Sequence, residues 1–137
     1  AFKGVPNLKT VILTDKINFI DSEAFMNCTA LESIKFGADL DEISARAFSG
    51  CTKLAKINIP KYVRRIGGGA FDDCNALKTI ILRHTQVAPF HNQLGYLNAT
   101  IYVPNDLVDQ YKNDMDWEPY KNKIKSISEL TNRKTKR

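Results

Sequence analysis

Phe2, Phe25, Phe48 and Phe71 stand 23 residues apart, and nearly every apolar position between them recurs at the same interval. Three residues after each Phe come Val5, Cys28, Cys51 and Cys74; six after come Leu8, Leu31, Leu54 and Leu77. Nine after stand Val11, Ile34, Ile57 and Ile80, and eleven after stand Leu13, Phe36, Ile59 and Leu82. Ile20, Ile43 and Ile66 follow at eighteen. A unit this short cannot close a core alone. Copies become stable when they stack and each column turns into a ladder through a shared interior.

The end of the motif L-x-x-I-x-I alternates, as a strand buried on one face does. Ile57 and Ile59 then point inward, while Lys56 and Asn58 point outward. Every copy runs in the same sense, so the sheet is parallel. The second half, V-x-x-I-G-x-x-A-F, carries its inward residues at spacings of three and four. That pattern predicts a short turn, a second short strand or a helical turn on the outer side.

Ile101-Tyr102-Val103-Pro104 echoes Ile57-Asn58-Ile59-Pro60 and predicts a fifth strand, 21 residues after its counterpart at Ile80. Pro104 ends it by removing a ladder donor. Asn105 is the expected N-cap of a following helix, with Leu107, Val108, Tyr111 and Met115 as its inward stripe. Trp117, Tyr120, Ile124 and Ile127 are expected to lie over the last coil and cover an otherwise open sheet edge. No such cap precedes Ala1, so the first coil is expected to join upstream repeats or to be exposed.

The unit C-x-x-L-x-x-I-x-I-P followed by I-G-x-x-A-F resembles the BspA-type leucine-rich repeats of bacterial and some protist surface proteins. The likeness runs through residues 1–92 and continues into the closing segment at Ile101–Pro104, Tyr111, Trp117, Tyr120 and Ile124. It departs where the last repeat reads Gln86-Val87-Ala88-Pro89-Phe90 in place of V-x-x-I-G. The expected fold is therefore an α/β repeat solenoid, a short parallel-sheet leucine-rich-repeat array. Four repeats occupy 1–92, a strand-and-helix cap 93–130, and a basic disordered tail 131–137. The resemblance implies a secreted or cell-surface parent, with host matrix or surface proteins as ligands.

Composition narrows the alternatives. With 43% apolar and 26% charged residues the chain is in the range of ordinary globular domains. No apolar run approaches the ~18 residues of a membrane helix, which argues against membrane insertion. Four of the five net positive charges come from Arg133, Lys134, Lys136 and Arg137, leaving +1 over residues 1–132. The basicity belongs to a tail without interleaved aromatic residues, which argues against nucleic acid as a partner.

The residues able to do chemistry have simpler structural explanations. Cys28, Cys51 and Cys74 recur at the repeat period, and Val5 fills the same column, so packing explains them better than a disulfide or a metal. His84 and His91 lack ligand partners at metal-binding spacing and read as loop residues. Asp39, Asp41 and Glu42 on one coil face Lys61, Arg64 and Arg65 on the next, as cross-coil ion pairs would. Gly67-Gly68-Gly69 lacks the strand–loop–helix context of a phosphate loop, and Gly67 falls where the repeat needs a tight turn. No nucleophile, base and orienting group converge, so the reading is no enzyme, no catalytic residue, no metal and no cofactor.

The outward strand face remains. Its columns read Thr10, Ser33, Lys56, Thr79, Thr100 and then Ile12, Lys35, Asn58, Ile81, Tyr102, with Arg83 in a third. Lys35, Lys56, Asn58, Ile81, Arg83 and Tyr102 are the expected binding residues, all directed to solvent. They point to a non-catalytic protein-binding or adhesion module. The alternative is a passive spacer presenting another domain.

Overall fold

The computed structural model describes residues 2–90, 94 and 98–130. The expected strands are present: β1 (Thr10–Ile12), β3 (Ser33–Lys35), β5 (Lys56–Ile59), β7 (Thr79–Leu82) and β8 (Thr100–Val103). β1 pairs with β3 in one parallel sheet, and β5, β7 and β8 follow in a second; no ladder joins β3 to β5, where the repeat leads one to expect a continuous sheet. The register follows the repeat: Val11 lies beside Ile34, and Ile57 beside Ile80. The last interval shortens as expected, Ile80 lying beside Ile101.

The second half of each unit forms a two-residue strand. β2 (Phe19–Ile20), β4 (Glu42–Ile43) and β6 (Arg65–Ile66) make a parallel three-stranded sheet. The turn side carries its own ladder. Phe25 N donates to Ala47 O at 2.8 Å, and Phe48 N to Ala70 O at 2.8 Å. This third side needs left-handed backbone at two columns, filled by Glu23, Arg46 and Gly69 and by Gly4, Asn27, Gly50 and Asp73. The same geometry therefore recurs in glycine and non-glycine coils alike, held by inter-coil hydrogen bonds.

Gly67 works differently from expectation. Its φ is not left-handed; a Cβ there would run into the backbone of Ala45, 2.7 Å from its Cα. Gly37 stands in the same relation to Thr14 and Asp15. Close approach of successive coils, rather than a turn, selects glycine at both positions.

Two spines run through the core. The rings of Phe25, Phe48 and Phe71 stack nearly parallel, 5.3 and 5.7 Å apart, and Phe36 meets Phe48 edge-on at 5.9 Å. Beside them the cysteines are buried and free. Each thiol reaches back to the preceding coil: Cys51 Sγ donates to Phe25 O and Cys74 Sγ to Phe48 O, both at 3.1 Å. Burial pushes the Cys51 and Cys74 thiols up to about 12 and raises Cys28 as well. At neutral pH none is the thiolate that reacts. Native protein is expected to label slowly with a thiol reagent and to take up three equivalents once denatured. Rapid uptake by native protein would contradict this packing.

The first coil has one neighbour only. Phe2, Ile12 and Phe19 are exposed, by 46%, 73% and 51%.

The C-terminal segment departs from its expected helix. A 3₁₀ turn at Asn105–Leu107 leads into α1 (Val108–Asn113), and a second 3₁₀ stretch covers Met115–Lys123. Asn105 is not a helix cap; its Oδ1 accepts from the Ser126 hydroxyl and from Ser128 N. The extended backbone of Asp114 ends α1, so Met115 leaves the inward stripe and is 89% exposed. Ile124 belongs to a strand instead of lying over the coil. β9 (Ile124–Ser126) pairs in parallel with β8, placing Ile124 beside Ile101.

Trp117, Tyr111 and Tyr120 fill the end of the core, Trp117 meeting Tyr111 at 5.0 Å and Phe90 at 6.2 Å. The irregular Gln86–Phe90 segment is held by this cluster. Tyr111 Oη accepts from Ala88 N at 2.9 Å, and Trp117 Nε1 donates to Ala88 O at 3.0 Å. Both backbone groups of a residue outside the repeat are thereby satisfied.

His84 is buried, contrary to its expected loop role. Its Nε2 lies 2.6 Å from Val63 O and its ring meets Phe90 edge-on. Nδ1 has no partner among the described residues. Burial lowers its pKa below 6.5, because the imidazolium would carry its second proton into an unsolvated site. Stability is therefore full above pH 6.5 and falls as pH drops below it, the unfolded chain taking the proton first. The slope is at most about 1.4 kcal/mol per pH unit for one group. Denaturant melts between pH 7.5 and 5.5 are expected to show a decline in the native protein that His84→Gln flattens. Equal declines would remove His84 as its source. His91 lies outside the described residues, as do the 92/93 boundary and the tail at 131–137.

Candidate functional site

The two strand-bearing faces differ in how they dispose of charge. On the β2–β4–β6 face, Arg64 Nε lies 2.8 Å from Asp41 and Arg65 Nη1 lies 3.6 Å from Glu42, as the aligned coils lead one to expect. Lys3 meets Glu23 at 2.9 Å and lowers its pKa. Lys61 and Asp39 form no such pair; the Lys61 ammonium lies over the Tyr62 ring instead. These exposed pairs add little stability, but they leave that face nearly neutral.

The outward face of the larger sheet keeps its cations unpaired. A shallow groove of about 660 Å³ crosses β3 and β5 and ends at Arg83, just beyond β7. Lys35, Lys56, Asn58 and Arg83 line it, all exposed. Strand alternation puts Lys35, Lys56 and Asn58 there, since the intervening Ile34, Ile57 and Ile59 belong to the core. Arg83 Nε donates to Asn58 Oδ1 at 3.0 Å, fixing the guanidinium across adjacent coils. Among the described residues, none of the three cations forms an ion pair. Phe36 and Pro60 supply an apolar wall. The exposed carboxylates of Asp15 and Glu32 line the groove as well, Asp15 Oδ1 accepting from Ala38 N at 2.9 Å.

Ile81 and Tyr102 lie on the same strand side but do not line this groove. The expectation that both face solvent is corrected: they are buried, at 1% and 3% exposure. They are neighbours in register on β7 and β8, and burying an isoleucine and a tyrosine side by side removes enough apolar area to favour cover over solvent. The outward face is therefore divided: closed at β7–β8, open over β3–β5. That cover, rather than contact with a ligand, explains the apolar character of Ile81 and Tyr102. Pro60 stands in the same outward column as Arg83, whereas Phe36 is a lining residue that strand alternation does not reveal, because it falls on the inward side.

Among the described residues no group of three His, Cys, Asp or Glu side chains is placed to hold a metal ion. No described helix is long and apolar enough to cross a membrane.

A family model described as a BspA type leucine rich repeat region matches residues 1–94 in six copies. Among solved structures, a leucine rich cell surface protein from Faecalibacterium prausnitzii A2-165 is similar, with 30% identity and a TM-score of 0.62. The likeness covers 75% of this chain and 28% of that protein, so the chain spans less than a third of its relative's length. No curated protein matches the chain.

Proposed function

The chain belongs to the BspA-type leucine-rich repeat family, and from that premise we propose that it serves as a non-catalytic protein-binding or adhesion module displayed at a cell surface. The family is typically non-catalytic, and modules of this kind generally bind proteins. The similar solved structure is that of a cell surface protein, which supports the location. The observation that carries the reading is the groove over β3 and β5, which gathers Lys35, Lys56 and Arg83, none in an ion pair among the described residues, beside apolar lining and the carboxylates of Asp15 and Glu32.

The exposed Phe2, Ile12 and Phe19 support a second contact, the stacking of an upstream repeat of a longer parent chain on the first coil. Solenoid coils bury their ends only against neighbours or caps.

The test is a binding screen of immobilised chain against extracellular matrix and cell-surface proteins, repeated with Lys35→Gln, Lys56→Gln and Arg83→Gln combined. A partner is expected whose binding the triple variant loses by a factor of at least ~10, with melting unchanged because all three side chains are exposed. Equal binding by the variant would move the site elsewhere. No partner at all would favour the passive spacer.

A further inference from the structure

We infer that the groove takes an acidic, partly apolar peptide segment of a partner protein, held by carboxylates at Lys35, Lys56 and Arg83. This rests on the binding reading above and names the chemistry of its ligand. The three cations outnumber the Asp15 and Glu32 carboxylates of the same lining and come from three consecutive coils, so their charge is spread along the groove and suits a ligand with several anionic groups rather than one. Arg83 is preorganised: with Nε committed to Asn58, its terminal N–H groups have no acceptor among the described residues. A planar guanidinium held in this way can receive a carboxylate through two parallel hydrogen bonds. Lys56 and Lys35 add mobile point charges over β5 and β3.

The apolar part of the lining decides between classes of polyanion. The half-buried Pro60 and the edges of the core residues Ile34 and Phe36 give the groove an apolar part with no hydrogen-bonding side chain. A sulfated glycan would gain little there. A peptide can set Leu or Phe side chains against it while its acids meet the cations. Removing the charge–charge attraction should slow encounter as well as weaken the complex, so binding should fall steeply as salt rises.

The probe is a labelled peptide alternating glutamate with leucine and serine, titrated by fluorescence anisotropy alongside its glutamine counterpart and heparin. The acidic peptide is expected to bind at least ~10-fold tighter than the glutamine form. Arg83→Gln and Lys56→Gln are each expected to weaken it ~5-fold or more, whereas Arg65→Gln, on β6, leaves it unchanged. Equal binding of the two peptides, no binding of the acidic one, or indifference to Arg83→Gln would overturn the inference. Heparin binding without peptide binding would overturn it in favour of a sulfated polymer. A protein partner lost in the triple variant, with neither peptide bound, would overturn the acidic chemistry alone and leave the binding face standing.

Discussion

Phe48→Ala is expected to cost about 3–5 kcal/mol, the range for truncating a fully buried aromatic side chain. Phe48 is wholly buried between Phe25 and Phe71 and is met edge-on by Phe36. The cavity would lie between coils whose spacing is set by the short-strand ladder and the turn-side hydrogen bonds, so the walls cannot readily close on it. A loss of this size is a large part of the ~5–15 kcal/mol that usually holds a domain folded. Phe2→Ala provides the contrast. Phe2 stacks on Phe25 alone and is nearly half exposed, so its loss should cost far less. Thermal melts of the two variants should differ plainly. Equal shifts would mean that the aromatic column is not a spine of graded burial.

Trp117→Ala is expected to be as damaging, for two reasons that can be separated. The indole is fully buried among Tyr111, Tyr120 and Phe90, so truncation leaves a large cavity at the end of the array. It also leaves the Ala88 carbonyl without its donor. Cavity formation alone accounts for about 3–5 kcal/mol, and an unsatisfied buried acceptor adds about 1–3 kcal/mol. Trp117→Phe keeps most of the volume and loses the donor, so it should sit between native protein and the alanine variant. Chemical denaturation of the three would show this order. A phenylalanine variant as stable as the native chain would mean that the hydrogen bond to Ala88 contributes nothing. Circular dichroism suits the measurement, because Trp117 is the chain's one tryptophan.

The parts of the fold written as repeating side chains are legible in the sequence alone. The Phe and Cys columns, the strand pairings from Val11 to Ile101, and the Asp41–Arg64 and Glu42–Arg65 pairs follow from a period that aligns like positions on successive coils. β9 is harder to see although its signal exists: Ile124 stands 23 residues after Ile101. Only one apolar residue marks it, within a stretch that also reads as the end of a helix. Met115 misleads because helical spacing continues past Asp114, where the backbone turns extended. His84 misleads because a break in the pattern reads as a loop, whereas its segment is drawn inward by Tyr111 and Trp117.

The candidate site is legible in its charges and not in its limits. Alternation alone places Lys35, Lys56, Asn58 and Arg83 on the outward face, and they line the groove. Alternation says which side of a sheet a residue takes; it does not say whether that side is covered. Ile81 and Tyr102 take the same side as Asn58 and are nevertheless buried. Nothing in T-I-I-L or T-I-Y-V announces that cover.

Successive coils are bonded by strand, short strand or turn, but not by all three at every seam: β3 and β5 share no ladder. Such a body has a grain. Tension applied along the stack loads one inter-coil seam at a time, and each seam that parts releases a length of chain set by the repeat. A released unit of 23 residues can extend to at most about 80 Å. A tethered array built this way would lengthen under shear in discrete steps, giving way first at a seam short of a ladder, such as that between β3 and β5, while the coils nearest Trp117 stayed wound.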